Sequence, residues 1–403
     1  MIFQHPLALI LLAAGASFTV ATMAGLSLTK FGFPLPVGGR RIGCVDGLRG
    51  YLALAVLVHH FVIWVQDARF GRDWSPPESN LIANFGAGGV ALFFMTTGLL
   101  FYPRIRGGLH GSSWLALYVT RAFRIIPLVA VSVTIVTAIV IARTGARPDL
   151  RYVKEAAEWI TAWKETSLLD YPDSGRLNAY VLWSLWFEWI FYLAILPLCA
   201  LAQSIIRGRA PTWTIPIAIM ISSLVFSRSH FARDLMKYLP LFAIGMLAWE
   251  VQDRGWMRDR LRGPTAALLA IAALLFGLIS EPTPYGWPQM AALGFFFAVV
   301  ACGNGFGTVL QTKGALVLGE CSYGVYLLHG IILDLLFVEG GPLLSGLSPT
   351  TIYALLPPMA AVVAVATSVS YMLVERPMIR LGARIARAAT GIRVREPQVE
   401  VAP

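Results

Sequence analysis

The chain has 403 residues, 57% of them hydrophobic and 13% charged, with a mean hydropathy of +0.68 and a net charge of +10. A soluble protein carries about a quarter charged residues, so a water-soluble enzyme, a disordered chain, a collagen and a disulfide scaffold are all poor fits. The basic excess does not point to nucleic acid either: Lys and Arg are thin inside the apolar runs and gather in alternate short connections, as membrane orientation demands.

Crossing the hydrocarbon takes about 20 apolar residues per helix. Apolar runs fall at 7–29, 47–66, 81–102, 125–142, 179–203, 213–227, 238–249, 264–280, 289–302, 316–338 and 350–374. They predict an all-α, polytopic transmembrane bundle of eleven helices, with 213–227 and 238–249 short and least well bounded. The segment before the first run, MIFQHP, lacks the Lys or Arg of a signal peptide, and the run exceeds the usual length of about 7–15 residues. It reads as a retained extra helix. Placing Arg40 and Arg41 in the cytosol and alternating from there gives that side roughly two thirds of the 32 basic residues, Arg393 and Arg395 of the tail included. The other side receives most of the acidic residues. The expectation is a multi-pass protein of the cell's inner (plasma) membrane with a cytosolic C-terminus.

The longest outer connection, 143–178, contains LRYVKEAAEWITAWKETSLL. Val153, Ala157, Ile160 and Lys164 recur there at helical spacing, with Trp159 and Trp163 nearby, which predicts an interfacial helix. It would serve as structural cover or as a lid over an acceptor site. Cys44, Cys199, Cys302 and Cys321 are too scattered for a disulfide framework or a metal site and read as small buried hydrophobes. No metal is expected.

Ionisable residues inside spans are costly and therefore candidates for function. In CVDGLRGYLALAVLVHHF, Arg49 and His60 are eleven residues apart, which advances a helix by about 20° past three turns and about 16 Å along its axis. They share a face, Asp46 lies near it and can pair with Arg49 at i,i+3, and His59 points about 80° away. In LWSLWFEWIFYL, Ser184 and Glu188 share a face among Trp183, Trp186 and Trp189, so the carboxyl must be paired or protonated. In LGECSYGVYLLHG, Ser322, Tyr326 and His329 form a polar stripe. Each set could instead be interhelical glue. In YVTRAFRIIP, Arg121 and Arg124 stand one turn apart at a helix start, a pair suited to a phosphate-bearing ligand or to anionic lipid headgroups.

Together these segments resemble the acyltransferase-3 family of integral membrane acyltransferases, over residues from about 42 to 378. DGLRGYLALAVLVHH carries the family's Arg-x10-His arrangement as Arg49 and His60, and FFMTTGLL matches FF-x-x-SG with Thr97 in place of Ser. RAFRIIP supplies Arg121, Arg124 and Pro127. LWSLWFE matches Trp-Ser-Leu-x-x-Glu, CSYGVYLLH matches Ser-Tyr-x-x-Tyr-Leu-x-His through Ser322, Tyr323, Tyr326 and His329, and VERP closes the series. The resemblance implies a ten-helix acyltransferase-3 membrane domain at 41–378; the extra N-terminal helix and linker at 1–40 are a departure from that pattern, and a basic cytosolic tail follows at 379–403. With no hydrolase-like domain after the core, the likeness is to single-domain members.

The resemblance further implies transfer of an acyl group, most often acetyl, from cytosolic acyl-CoA to a hydroxyl of an envelope or exported glycan. No cofactor would be bound; acyl-CoA would be the donor substrate, the glycan or another hydroxyl compound the acceptor, and the lipid bilayer the remaining partner. Arg121 and Arg124 would hold the donor, and Arg49 its pyrophosphate or acyl end. His60 would be general base or acyl carrier and Glu188 its helper. Thr97, Trp183, Ser184, Ser322, Tyr323, Tyr326 and His329 would line the cavity. The rival reading is a transporter of a glycan or of protons, since spaced His, Glu and Arg also describe a proton relay. The absence of a repeated half with matching broken helices weighs against it. A non-catalytic scaffold would leave the buried charges without a purpose.

Overall fold

The computed structural model describes residues 7–36, 42–109, 113–226, 233–391 and 399–400. Arg40, Arg41, Arg393 and Arg395 lie outside these. Eleven helices coincide with the eleven apolar runs: α1 (Leu7–Lys30), α2 (Gly43–Phe70), α3 (Asn80–Gly107) and α4 (Trp114–Thr144) come first. A short α5 (Leu150–Ile160) follows in the long connection. Then come α6 (Trp183–Ile206), α7 (Thr214–Phe226), α8 (Arg233–Asp253), the seven-residue α9 (Gly255–Leu261), α10 (Pro264–Ile279), α11 (Trp287–Ala301), α12 (Lys313–Glu339) and α13 (Pro349–Thr390). Seven of them are long and apolar enough to cross a membrane, and an eighth span arises if α9 and α10, bent by 75° at Arg262–Gly263, count as one. α7 and α11 are shorter apolar helices. The extra helix α1 packs along α12 and α13. The architecture is a polytopic helical membrane bundle.

Two close approaches hold its centre. A Cβ on Gly319 of α12 would fall 2.1 Å from the Asp46 carbonyl oxygen of α2, so these helices touch backbone to backbone. α3 and α8 meet in the same way: a Cβ on Gly98 would lie 2.0 Å from the Phe242 oxygen, and one on Gly245 would lie 1.9 Å from the Met95 oxygen. Lipid gives helices no hydrophobic reason to associate, so small residues that let backbones approach supply the packing contact instead. The first contact sets the polar residues of α2 against those of α12.

Two expectations are corrected. α4 begins at Trp114, eleven residues before its apolar run, because the Ser113 side chain caps it by accepting from the Ala116 amide at 3.3 Å and because its first turns pack along the last turns of α13. Arg121 and Arg124 therefore lie two turns inside a helix rather than at its start. α13 continues past its apolar run to a glycine cap at Gly391, so Arg376, Arg380, Arg384 and Arg387 belong to the same helix as the span. α5 forms where an interfacial helix is expected and rests on the bundle through a different face from the one carrying Val153. Trp159 is fully buried and donates to the Thr166 carbonyl at 2.7 Å, and the Tyr152 hydroxyl lies 3.2 Å from that of Thr137 on α4, while Val153 is exposed. Large aromatics with a polar handle outbid smaller aliphatics for the packed side. All four cysteines are buried and free of disulfides.

Candidate active site

A cavity of about 860 Å³, counted to its open mouth, runs between α2, α3, α4, α6 and α12. Arg49 comes from α2, Thr97 from α3, Arg121 and Arg124 from α4, Ser184 and Glu188 from α6, and Ser322, Tyr323 and Tyr326 from α12. Nine of the residues expected at the site thus share one wall system. Aromatic and aliphatic groups complete it, among them Phe93, Phe94, Leu100 and Phe101.

Its polar groups are cross-braced. Glu188 accepts from the Thr97 hydroxyl and from the Tyr192 hydroxyl, each at 3.3 Å. Arg121 and Arg124 act on it electrostatically, and Arg121 also reaches Tyr192. The guanidinium of Arg121 stands 5.2 Å from the centre of the Phe101 ring, and its Nε has no hydrogen-bond partner among the described residues. Arg49 pairs loosely with Asp46, 3.8 Å away at i,i+3, as its spacing predicts. Deeper in, the hydroxyls of Ser184 and Tyr326 are 2.8 Å apart, and Tyr326 also donates to the Val181 carbonyl at 3.1 Å. Tyr323 donates to the Ile125 carbonyl of α4 at 2.9 Å, and Ser322 to the Gly319 carbonyl at 2.8 Å. Side chains already committed to protein partners hold the walls still, and each guanidinium presents a planar fork of donors.

Three expected residues are not among those lining the cavity. Trp183 is 37% exposed and packs on Phe187 and Tyr238. His60 and His329 lie one helical turn beyond Tyr326 and bond each other, His60 Nδ1 to His329 Nε2 at 2.9 Å. His329 is fully buried, with its Nδ1 2.8 Å from the Val325 carbonyl oxygen. His60 is half-buried, stacked under Trp74 at 6.4 Å between ring centres, and Trp74 touches Tyr180. The Arg176–Asp67 ion pair lies beside them, with Arg176 over the Trp64 and Trp74 rings. His59 turns away, its Nδ1 3.0 Å from the Ile82 carbonyl oxygen.

Two further residues emerge only here. Tyr192 lines the cavity and bonds Glu188; its signal was the spacing of four from Glu188, which repeats that of Ser184 to Glu188. A π-helical turn over Phe191–Ile195 begins at this point, a widening that often marks functional sites. Glu375 of the VERP segment is 3% exposed, sits in the fields of Arg124 and Arg49, and has one oxygen, Oε1, without a hydrogen-bond partner among the described residues.

Residues 42–374 match the acyltransferase-3 family, described as an acyltransferase domain. That is most of the chain, and the cavity lies wholly within it. The chain belongs to this family and is a multi-pass membrane acyltransferase. No curated protein and no solved structure gives a significant match.

Proposed function

We propose that the protein is an O-acyltransferase of the inner (plasma) membrane that moves an acyl group, acetyl in the first instance, from cytosolic acyl-CoA to a hydroxyl of an envelope or exported glycan. The observation that carries this reading is the gathering of Arg49, Arg121, Arg124 and Glu188 in one cavity, with His60 one helical turn beyond its end. Three guanidiniums suit a donor that carries several phosphate charges. The charge distribution of the connections supports a cytosolic arginine end and C-terminus, on the side where such a donor is found. The apolar wall at Phe93, Phe94 and Phe101 suits the thioester and its acyl chain.

In this reading the acceptor arrives from the opposite end, where His60 lies under Trp74. His60, as neutral imidazole, takes the hydroxyl proton while the oxygen attacks the thioester carbonyl. The acyl–sulfur bond breaks, the CoA thiolate leaves, and the proton passes on to it. Glu188 orients the arginines, and Tyr326 with Ser184 frames the end of the cavity nearest the histidines.

The test is purified protein in lipid given acetyl-CoA labelled in its acetyl group together with candidate glycans. Release of CoA with label on a hydroxyl of the glycan is expected. Movement of glycan or protons across the bilayer without consumption of acetyl-CoA would establish the transporter instead.

A further inference from the structure

The hydrogen bonds of the histidine pair fix where its hydrogens are. A backbone carbonyl can only accept, so the nitrogen of His329 that faces the Val325 oxygen at 2.8 Å, Nδ1, carries a hydrogen. In neutral imidazole the other nitrogen is then bare, and Nε2 of His329 is an acceptor. The 2.9 Å contact from His60 Nδ1 to that nitrogen therefore needs its hydrogen on His60 Nδ1. The Val56 carbonyl, one turn before His60, acts on the same ring. It is a second obligate acceptor in the i−4 relation that His329 shows through its own Nδ1, the ring nitrogen nearest the backbone. The titratable neighbours of the His60 ring are His59 and His329, and among the described residues no carboxylate is ion-paired with either ring.

We infer that His329 is a positioning residue for His60: it holds that imidazole in the tautomer with hydrogen on Nδ1, which leaves Nε2 as the reacting nitrogen. The inference rests on the acyl-transfer reading for the role of Nε2, but not for the tautomer itself. The acceptor O–H bond breaks and its proton moves to Nε2, giving an imidazolium that still donates through Nδ1 to His329. The acceptor oxygen bonds the acyl carbon, the carbon–sulfur bond breaks, and the Nε2 proton goes to the departing thiolate. Were His60 an acyl carrier instead, the acyl group would bond the same Nε2, because Nδ1 is occupied. A ring free to flip its tautomer would spend part of its time presenting an N–H where a lone pair is needed, and turnover would fall accordingly.

The experiment is nitrogen NMR on the full chain, labelled at its histidines and held in lipid nanodiscs, with the His60 signals assigned through His60→Asn. Wild-type protein should show a protonated Nδ1 and a bare Nε2 on His60. His329→Leu removes the side-chain acceptor, leaving only the Val56 carbonyl to hold the Nδ1 hydrogen, and should shift part of the His60 population toward the Nε2–H form. It should also lower kcat at least about tenfold with KM for acetyl-CoA unchanged, since His329 does not line the donor cavity. His329→Gln, whose amide oxygen can accept from Nδ1–H, should recover part of both. Hydrogen on Nε2 of wild-type His60 overturns the inference without any variant, as does an unchanged tautomer and kcat in a folded His329→Leu protein. Wild-type protein with hydrogen on Nδ1 and no acyl transfer would overturn the enzymatic reading and support the tautomer.

Discussion

Tyr326 and His329 stand one turn apart on α12, with ring centres 6.4 Å apart, yet they belong to different halves of the site. The hydroxyl of Tyr326 ends in the cavity wall against Ser184, while the ring of His329 ends on His60. One helix thus separates the place where arginines gather from the place where an imidazole is held. Binding and chemistry should therefore come apart in single variants.

His60→Ala removes the imidazole without touching the cavity lining. Acyl transfer should drop by about 10²–10⁴-fold, the usual worth of a positioned base. Affinity for acetyl-CoA, measured on the same vesicles, should stay within about twofold of wild type. Near-normal acylation by a folded His60→Ala protein would remove this residue from the mechanism.

Arg121→Gln and Arg124→Gln should act the other way. A charged hydrogen bond to phosphate contributes about 1.5–3 kcal/mol, so KM for acetyl-CoA should rise on the order of 10- to 100-fold while kcat holds within a few-fold. Arg49→Lys keeps the charge but loses the planar fork, and much of the activity should go with it. Kinetics over a range of acetyl-CoA concentrations separates these outcomes. A collapse of kcat at unchanged KM would move Arg121 and Arg124 out of donor binding.

Much of this was legible because a helix is a rigid ruler. The shared face of Arg49 and Asp46 and the stripe from Ser322 through Tyr326 to His329 follow from a period of 3.6 residues, and the eleven apolar runs from the thickness of the hydrocarbon. What escaped depended on partners distant in sequence. Hydropathy sees where a helix leaves the hydrocarbon, not where its hydrogen bonds stop, so α4 and α13 run on past their apolar runs and Arg121 lies inside a helix. The face that α5 buries is chosen by Trp159 and by Tyr152 against α4. That His60 bonds His329 rather than lining the cavity depends on how α2 packs against α12, a partner that its own segment does not name. Tyr192 carried a spacing signal, but a tyrosine four residues from a carboxylate does not announce itself among so many aromatics.

The far ends of α4 and α12 are joined by a buried ion pair. Arg143 donates to both oxygens of Asp334, at 2.6 and 3.3 Å, and to Glu339 at 3.0 Å, with Asp334 only 2% exposed. Asp334→Asn leaves the guanidinium without its buried counter-charge and should cost about 3–5 kcal/mol. Replacing both partners by apolar residues of similar size, Arg143→Met with Asp334→Leu, should return most of that stability, because desolvation then no longer opposes folding. Thermal unfolding of the three proteins in one detergent is the measurement. If the double variant is as unstable as the single one, the pair is not the unit that holds these ends together.

The segment between α5 and α6 carries a titratable latch. Glu165 accepts the Leu182 amide at 2.8 Å, just before α6 brings Ser184 to the cavity, and the neighbouring Val181 carbonyl takes the Tyr326 hydroxyl. Burial against this segment pushes the Glu165 carboxyl up from 4.5 to about 7, partly offset by the Leu182 amide. Between those values the folded chain binds more protons than the unfolded one, so stability falls as pH rises through the interval and levels off above about 7. Hydrogen exchange of residues 161–182, corrected for intrinsic rates, should therefore show more frequent opening at about pH 8 than at about pH 6. Glu165→Gln keeps an oxygen for the Leu182 amide and has nothing to titrate, so its opening should be the same at both. Because Val181 and Leu182 lead directly into the cavity wall, wild-type opening at high pH should also loosen the Ser184–Tyr326 contact, read as a rise in the exchange of the first turn of α6. A wild-type segment that opens equally at both pH values would mean that this carboxyl ionises freely and latches nothing.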